Sequence, residues 1–437
     1  MVHKYPKDLV FELLSLWRES AEGLADKKER KLPEFDVLED LVSTCYQVSQ
    51  MREEARGLRF RVMICEPEEI NERGESEYGG LFALRFTEPR PCNEYELMKL
   101  GPSIDYNNSL IGLRYSRPSG MQIWGLIHSG SKWVHMIHGG SKEATPLPPA
   151  LAINVTGSGR LIVCRGVEIL AQLSSGNIIF PSTNVFQSNW VAKLFDRLQS
   201  ELATIHSKTA SAERKNWSQV DPDFIPALYL EVYKHIISTM RRLGHGGAVI
   251  FVPEHLSQDL VQDNPFIALK YRFAEERQRN QLRQAVALIL QELAKNCGRL
   301  YGPGYVAGWK DYVSSQTEII RALDERIFKF ARFVARLTGV DGVVVASESL
   351  EVLGFGGIIQ GTFDMGESVA LALDPEGKRR IVELVENVGA RHRSVYYFCS
   401  QLHEAIGIVV SQDAKARVVT WKREALTCWD VIPIDFA

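Results

Sequence analysis

The stretch Gly244-His245-Gly246-Gly247-Ala248-Val249-Ile250-Phe251-Val252-Pro253 decides the architecture of the second half of this chain. An uninterrupted apolar run bounded by glycines and a proline has the pattern of a strand buried on both faces. An amphipathic helix over residues 227–243 leads into it, with Leu228, Leu230, Val232, Ile236 and Ile237 on its apolar side. The arrangement recurs about 95 residues later, where a helix over 316–337 feeds Gly339-Val340-Asp341-Gly342 and a second buried run, 343–346. These read as two strands of one sheet rather than a tandem repeat, because the acidic residue occurs in only one copy. The fold class expected is α/β, a mixed sheet flanked by helices, preceded by a separate strand-rich α+β domain.

Outward from that core, 437 residues are too many for one ordinary domain. The polar stretch 207–226, carrying Lys208, Arg214, Lys215, Pro222 and Pro226, reads as a linker. It divides the chain into residues 1–220 and 221–437, the second with a helical insertion at about 262–337. The first part opens with two amphipathic helices, 8–25 and 36–56. Short strands follow at 58–62, 81–86, 110–115, 122–128, 133–137, 151–155 and 160–164, and a helix over 190–207 ends the part. His128, His135 and His138 invite a metal reading, but His135 and His138 on one strand would face opposite sides. Glu66, Glu68, Glu69, Glu72, Glu75 and Glu77 read as a solvated face.

Composition narrows the function classes. A formal net charge of -3 offers no global basic field, which argues against duplex nucleic acid as the main partner. Seven cysteines without a C-x-x-C pair fit free thiols in a reducing compartment. No apolar run approaches the roughly 18 residues of a membrane span, and Met1 to Pro6 carry no signal-peptide core. A cytoplasmic protein without a membrane partner is expected.

Three polar clusters sit at the ends of apolar strands. Asp341-Gly342 precedes one run, Ser411-Gln412-Asp413 follows another at 405–410, and Gly389-Ala390-Arg391-His392-Arg393-Ser394 lies between them. Taken alone, each has a plain reading: Asp341 and Asp413 as turn residues, Ser411 as a strand-end hydroxyl, Gly389–Ser394 as a solvated basic turn. Together they supply the parts that phosphoryl or nucleotidyl transfer needs. Carboxylates hold a divalent cation against phosphate oxygens, and arginine forks offset the charge building on a leaving pyrophosphate. Glycine lets the backbone approach the ligand closely.

In this order the clusters resemble the diadenylate cyclase (DAC) domain, a nucleotidyltransferase that condenses two ATP into cyclic di-AMP. That family carries Asp-Gly-Ala at a strand start, Gly-Thr-Arg-His-Arg downstream, and a Val-Ser-Glu-Glu-like segment after a later strand. This chain has Asp341-Gly342-Val343, Gly389-Ala390-Arg391-His392-Arg393 and Val410-Ser411-Gln412-Asp413. The run from Gly246 to Val252 is similar to the family's first strand, so the resemblance covers roughly residues 227–437. It implies that Asp341 and Asp413 hold Mg²⁺ or Mn²⁺, with Asp341 near the attacking ribose hydroxyl. Arg391, His392 and Arg393 would take the triphosphate, with Gly389, Ala390 and Ser394 beside them and Ser411 on phosphate. A homodimer or higher oligomer would bring two such sites face to face, under an N-terminal sensor domain whose ligand cannot be read from the sequence.

Two departures stand out. Ala390 replaces the family's Thr, and one lost neutral hydrogen bond costs about 0.5–1.5 kcal/mol. Asp413 is one methylene shorter than the usual Glu. Two other readings stay open on the residues alone. One is a catalytically degenerate nucleotide-binding protein, the other a scaffold whose basic cluster meets an acidic partner.

Overall fold

The computed structural model describes residues 3–431 except 23–31, 55, 72–80, 107–108, 129–146, 167, 175, 181–183, 214–215, 262–263, 275–278, 316, 362–367, 386–387 and 413. The described residues up to Phe180 form one compact unit and those from Asn184 to Val431 another. The chain thus divides near residue 182, whereas the sequence reading places the boundary at 220. The difference lies in the polar stretch after 207, which continues a helix to Glu213. Phe195, Leu198 and Leu202, at the start of that segment, are buried, and the Phe195 ring lies 5.6 Å from Tyr229. Apolar burial ties the segment to the second unit despite its polar tail.

In the first unit, helices α1 (Pro6–Glu22) and α2 (Phe35–Gln50) pack on an eight-stranded sheet. Its strands are β1 (Phe60–Ile64), β2 (Phe82–Pro91), β3 (Ser109–Ser116), β4 (Gly120–His128), β5 (Leu151–Gly157), β6 (Arg160–Arg165), β7 (Glu168–Ser174) and β8 (Asn177–Ile179). Their order is β8-β7-β6-β5-β1-β3-β4-β2. The pairing is antiparallel except between β1 and β3. Because side chains alternate across a strand, Phe60 and Val62 of β1 join Leu9, Leu13, Leu38 and Val42 from the helices, while Met63 enters a second cluster with Leu110 and Trp124. Strands β7 and β8 extend the sheet beyond those expected. The expected strand 133–137, with His135 and His138, lies outside the described residues. His128 is described, with Nδ1 3.0 Å from the Ser109 hydroxyl.

The second unit is built on a nine-stranded mixed sheet. After α3 (Asp196–Glu213) and α4 (Phe224–Leu243) come β9 (Gly247–Val252), α5 (Glu254–Val261), β10 (Ile267–Arg272), α6 (Gln281–Tyr301) and α7 (Glu318–Leu337). Then follow β11 (Val343–Ser347), β12 (Val352–Ile359), β13 (Ser368–Ala372), β14 (Arg380–Leu384), α8 (Ala390–Gln401), β15 (Ile406–Val410), β16 (Ala416–Lys422) and β17 (Ala425–Val431). The strand order is β10-β12-β11-β9-β15-β16-β17-β13-β14. Every residue of β9 is buried, as its sequence implies. Ala248, Ile250 and Val252 share a cluster with Val395, Tyr396 and Phe398 of α8, while the Phe251 ring lies 4.5 Å from Tyr233 of α4. Helix α4 stops at Gly244, whose φ of 71° is the left-handed conformation that ends helices.

The segment 262–337 is not helical throughout. Ile267–Arg272 forms the edge strand β10, paired with β12, and its alternating burial puts Ile267 and Leu269 inward. The helical part is α6, α7 and the short helix Trp309–Ser314 between them.

Candidate functional site

The register of the central strands brings the polar clusters to one end of the sheet. Strand β9 runs parallel to β11, pairing Val249 with Val344, and antiparallel to β15, pairing Gly247 with Val410. Carried two residues back, the first pairing sets Gly247 level with Gly342. Asp341, Gly246 and Ser411 each lie one residue beyond that line, across a width of about 10 Å at the usual strand spacing. Asp341 is exposed there. Gly342 has a φ of 113°, and a Cβ at that position would lie 2.6 Å from the Gly357 carbonyl oxygen.

Helix α8 begins at the same end. Gly389 is its N-cap, without a side-chain hydrogen bond, so Arg391, His392 and Arg393 occupy the first turn, which contains no acidic residue. The helix dipole is positive there, and each added cation costs roughly 0.3–1 kcal/mol. Local helix energetics therefore do not account for this placement, and a bound anion would. Residues that break a local rule without a local gain mark functional sites. All three side chains are half-buried, and Nε of Arg393 is buried without a hydrogen-bond partner among the described residues. The Arg391 guanidinium donates to the His245 carbonyl at 3.4 Å, which fastens it beside Gly246.

Gly246 is the close approach that makes this possible. Its φ is 68°, and a Cβ there would lie 2.6 Å from Nη1 of Arg391, 2.9 Å from the Val410 oxygen and 3.1 Å from the Gln412 nitrogen. Gly246 and His245 are not among the site residues expected from the sequence. Gly246→Ala is expected to cost about 2 kcal/mol from backbone strain alone and to displace Arg391. Thermal unfolding of the variant checks the first effect and nucleotide titration the second.

The helix is held from behind. Gly407 lets α8 lie against β15, since a Cβ there would stand 2.2 Å from Val395 Cγ1. Arg417 of β16 bonds Asp430 at 2.7 Å, Glu383 at 3.0 Å and the Tyr396 hydroxyl at 3.1 Å. Burial works against the Arg417 charge, but Asp430, Tyr396 and Glu383 outweigh it and keep the guanidinium protonated. Tyr396 stands one turn below His392, with ring centroids 6.2 Å apart. Burial pushes the Tyr396 hydroxyl far above its ordinary value, so it stays protonated and accepts from Arg417 through its lone pairs.

Other expected residues contribute less directly. The Ser411 hydroxyl is engaged in its own turn, accepting from the Lys415 amide at 3.1 Å and donating to the Lys415 carbonyl at 3.3 Å. Ala390 and Ser394 belong to the first turns of α8. Asp413 lies outside the described residues. Among the described residues, no three or more His, Cys, Asp or Glu side chains converge as a metal cage. A Mg²⁺-type ion needs only one or two carboxylates when phosphates complete its shell, and Asp341 at the strand mouth fits that donor set. Cysteine chemistry is disfavoured, because all seven thiols are free but six are buried, and burial pushes Cys164 and Cys428 up to about 12.

At the opposite end of the sheet lies a cleft of about 410 Å³ lined by Trp190, Glu254, Glu348, His403 and Glu404 among others. Burial pushes the Glu348 carboxyl up to about 7, with the charges of Glu254 and Glu404 adding to the effect and Arg197 opposing it. Such a carboxyl binds an extra proton in the folded state between pH values of about 4.5 and 7. Stability therefore falls as pH rises through that window and levels off above it. Glu348→Gln, which resembles the neutral form, is expected to match the wild type near pH 5 and exceed it at pH 8, by on the order of 1 kcal/mol. Urea titrations at the two pH values decide this.

Comparison with known proteins bears on the first unit. Residues 27–128 match the model of a family described as a probable sensor domain, DACNV. The match covers under a quarter of the chain and ends before the second unit begins. No curated protein matches the chain. No helix among the described residues is long and apolar enough to cross a membrane.

Proposed function

We propose that the second unit is a diadenylate cyclase, condensing two ATP into cyclic di-AMP with release of pyrophosphate, under control of the first unit. The observation that carries this reading is the cationic first turn of α8, Arg391-His392-Arg393, set beside Gly246 at the sheet end that also presents Asp341. The sensor-family match at residues 27–128 supports a regulatory first unit in a protein of this type. The resemblance of the motifs supplies the adenine and the cyclic product.

In this reading Arg391 and Arg393 donate hydrogen bonds to the triphosphate, and a ring N–H of His392 adds a third donor. Asp341 lies beside the ribose 3′-hydroxyl that attacks the α-phosphorus of the second ATP, and it accepts that hydroxyl's proton. The new bond joins that oxygen to phosphorus, the bond to the β-phosphate bridging oxygen breaks, and pyrophosphate leaves with the electron pair. A second such transfer closes the ring, so two protomers must present their sites to each other. A bound Mg²⁺ or Mn²⁺, held by Asp341 with the phosphates, would supply positive charge against the non-bridging oxygens. The site's own cations offset the charge on the departing pyrophosphate.

A second reading, a nucleotide-binding protein that has lost turnover, is favoured by Ala390 and by a Ser411 hydroxyl already engaged with Lys415. Incubating the full chain with ATP and Mn²⁺ or Mg²⁺, and measuring cyclic di-AMP, separates the two. Product is expected for the cyclase. ATP binding without product supports the second reading, and absence of both overturns the nucleotide site.

A further inference from the structure

The second unit has another concavity, on the side built from the edge strand and the inserted helices. Its volume is about 510 Å³, within the range of small-molecule pockets. Phe273, Phe330, Phe333 and Val352 form its apolar surface, and Arg279, Arg326 and Lys329 its cationic rim. Val352 is paired with Ala346, towards the end of β11 away from Asp341, so the groove is separate from the phosphate cluster.

The groove follows from a second stripe on α7. The core face of that helix is Ile320, Leu323, Ile327, Ala331 and Val334. Arg326, Lys329, Phe330 and Phe333 recur at i, i+3, i+4 and i+7 on another face. Phe333 is 46% exposed. A phenylalanine exposed to this extent forgoes nearly half of its burial free energy, and here it does not stand alone. Ring centroids run from Tyr271 to Phe355 at 4.7 Å, Phe355 to Phe273 at 5.7 Å and Phe273 to Phe333 at 6.5 Å. Phe273 and Phe333 line the concavity, with Phe355 and Tyr271 continuing the row outside it, and aromatic surface in a concavity marks a place where an apolar body is covered.

Charge then selects the occupant. Arg279 is neutralised by Glu351 at 2.8 Å and Lys329 by Glu325 at 2.8 Å. Arg326 has no ion pair among the described residues, which leaves it the uncompensated cation of the described rim. We infer that this groove binds a small aromatic monoanion, its ring system against Phe273 and Phe333 and its anionic group on Arg326. A flat aromatic carboxylate or sulfonate has that chemistry.

Anilinonaphthalene sulfonate has an aromatic body and one anionic group, and its fluorescence rises on binding. Titrated into the full chain, it should bind saturably. Arg326→Glu and Phe333→Ala should each weaken binding by about tenfold or more, as expected for losing a charge-assisted contact or a ring platform. Arg391→Ala should leave the affinity unchanged, which keeps this result independent of the cyclase reading. Both groove variants alter exposed side chains, and unchanged circular dichroism and melting temperature confirm their folding. Equal affinity in wild type and both variants overturns the proposal, as does equal binding of the uncharged phenylnaphthylamine. A change of sedimenting mass in Phe333→Ala would also overturn it, because a second copy would then be the occupant.

Discussion

Asp341→Asn, incubated with ATP and Mn²⁺, is expected to form cyclic di-AMP at least a hundredfold more slowly than the wild type, on the order of what one lost electrostatic group costs. The side chain is exposed at the mouth of β11 and keeps its volume in the variant, so folding should be unaffected. Gly246, Gly247 and Gly342, which set the backbone of that sheet end, do not change. On the proposed mechanism, the amide would lack the negative charge that offsets a divalent ion and could not accept a proton from the ribose hydroxyl. ATP affinity should fall far less than turnover, because Arg391 and Arg393 remain. Wild-type turnover in the variant would remove Asp341 from the chemistry.

The second large effect is structural. Arg417→Met removes the cation between Asp430 and Glu383 and the donor to Tyr396. Breaking one partner of a buried ion pair costs about 3–5 kcal/mol, because the remaining charges stay desolvated. Here the loss should be near the lower figure, since Glu383 and Asp430 keep 32% and 33% of their side-chain surface in water. The urea midpoint of the second unit measures it. Tyr396 supports α8 one turn below His392, so nucleotide affinity should also fall. A variant in which Glu383→Gln and Asp430→Asn accompany Arg417→Met should recover part of the stability. An unchanged midpoint in the single variant would show that the network contributes nothing.

Parts of this fold are legible in the sequence because burial on both faces leaves an unmistakable pattern. Gly247–Val252, Val343–Ser347 and Ile406–Val410 are runs of apolar residues closed by glycine, proline or polar residues, and they are neighbours in the sheet. Helix α8 is less legible. Its start carries cations where helices favour acids, and it lacks a side-chain cap. Strand β10 is an exposed edge, so only Ile267 and Leu269 mark it as a strand. The tail of α3 reads as a linker because its composition is polar, while the residues that anchor the helix lie upstream at Phe195, Leu198 and Leu202.

The position of Gly246 was hidden for a different reason. A glycine that makes room for a guanidinium arriving from residue 391 depends on long-range pairing that no local window contains. The Arg-His-Arg cluster was visible by composition, but its conflict with the helix dipole became apparent only once the helix was known.

The placement of β9 at the centre of the sheet also governs how the unit is made. Its neighbours come from Val343–Ser347 and Ile406–Val410, so one edge of β9 waits for residues 343–347 and the other stays unsatisfied until residues 406–410, near the end of the unit, have left the ribosome. Loop-closure entropy is lost before either pairing returns any free energy, which makes such topologies slow to fold. A nascent chain stopped short of residues 406–410 leaves at least one edge of this apolar strand bare and is a substrate for chaperones or aggregation. The sheet end beside Gly246, which needs β9, β11 and β15 in register, is therefore among the last features to form, and no shortened chain can acquire it early.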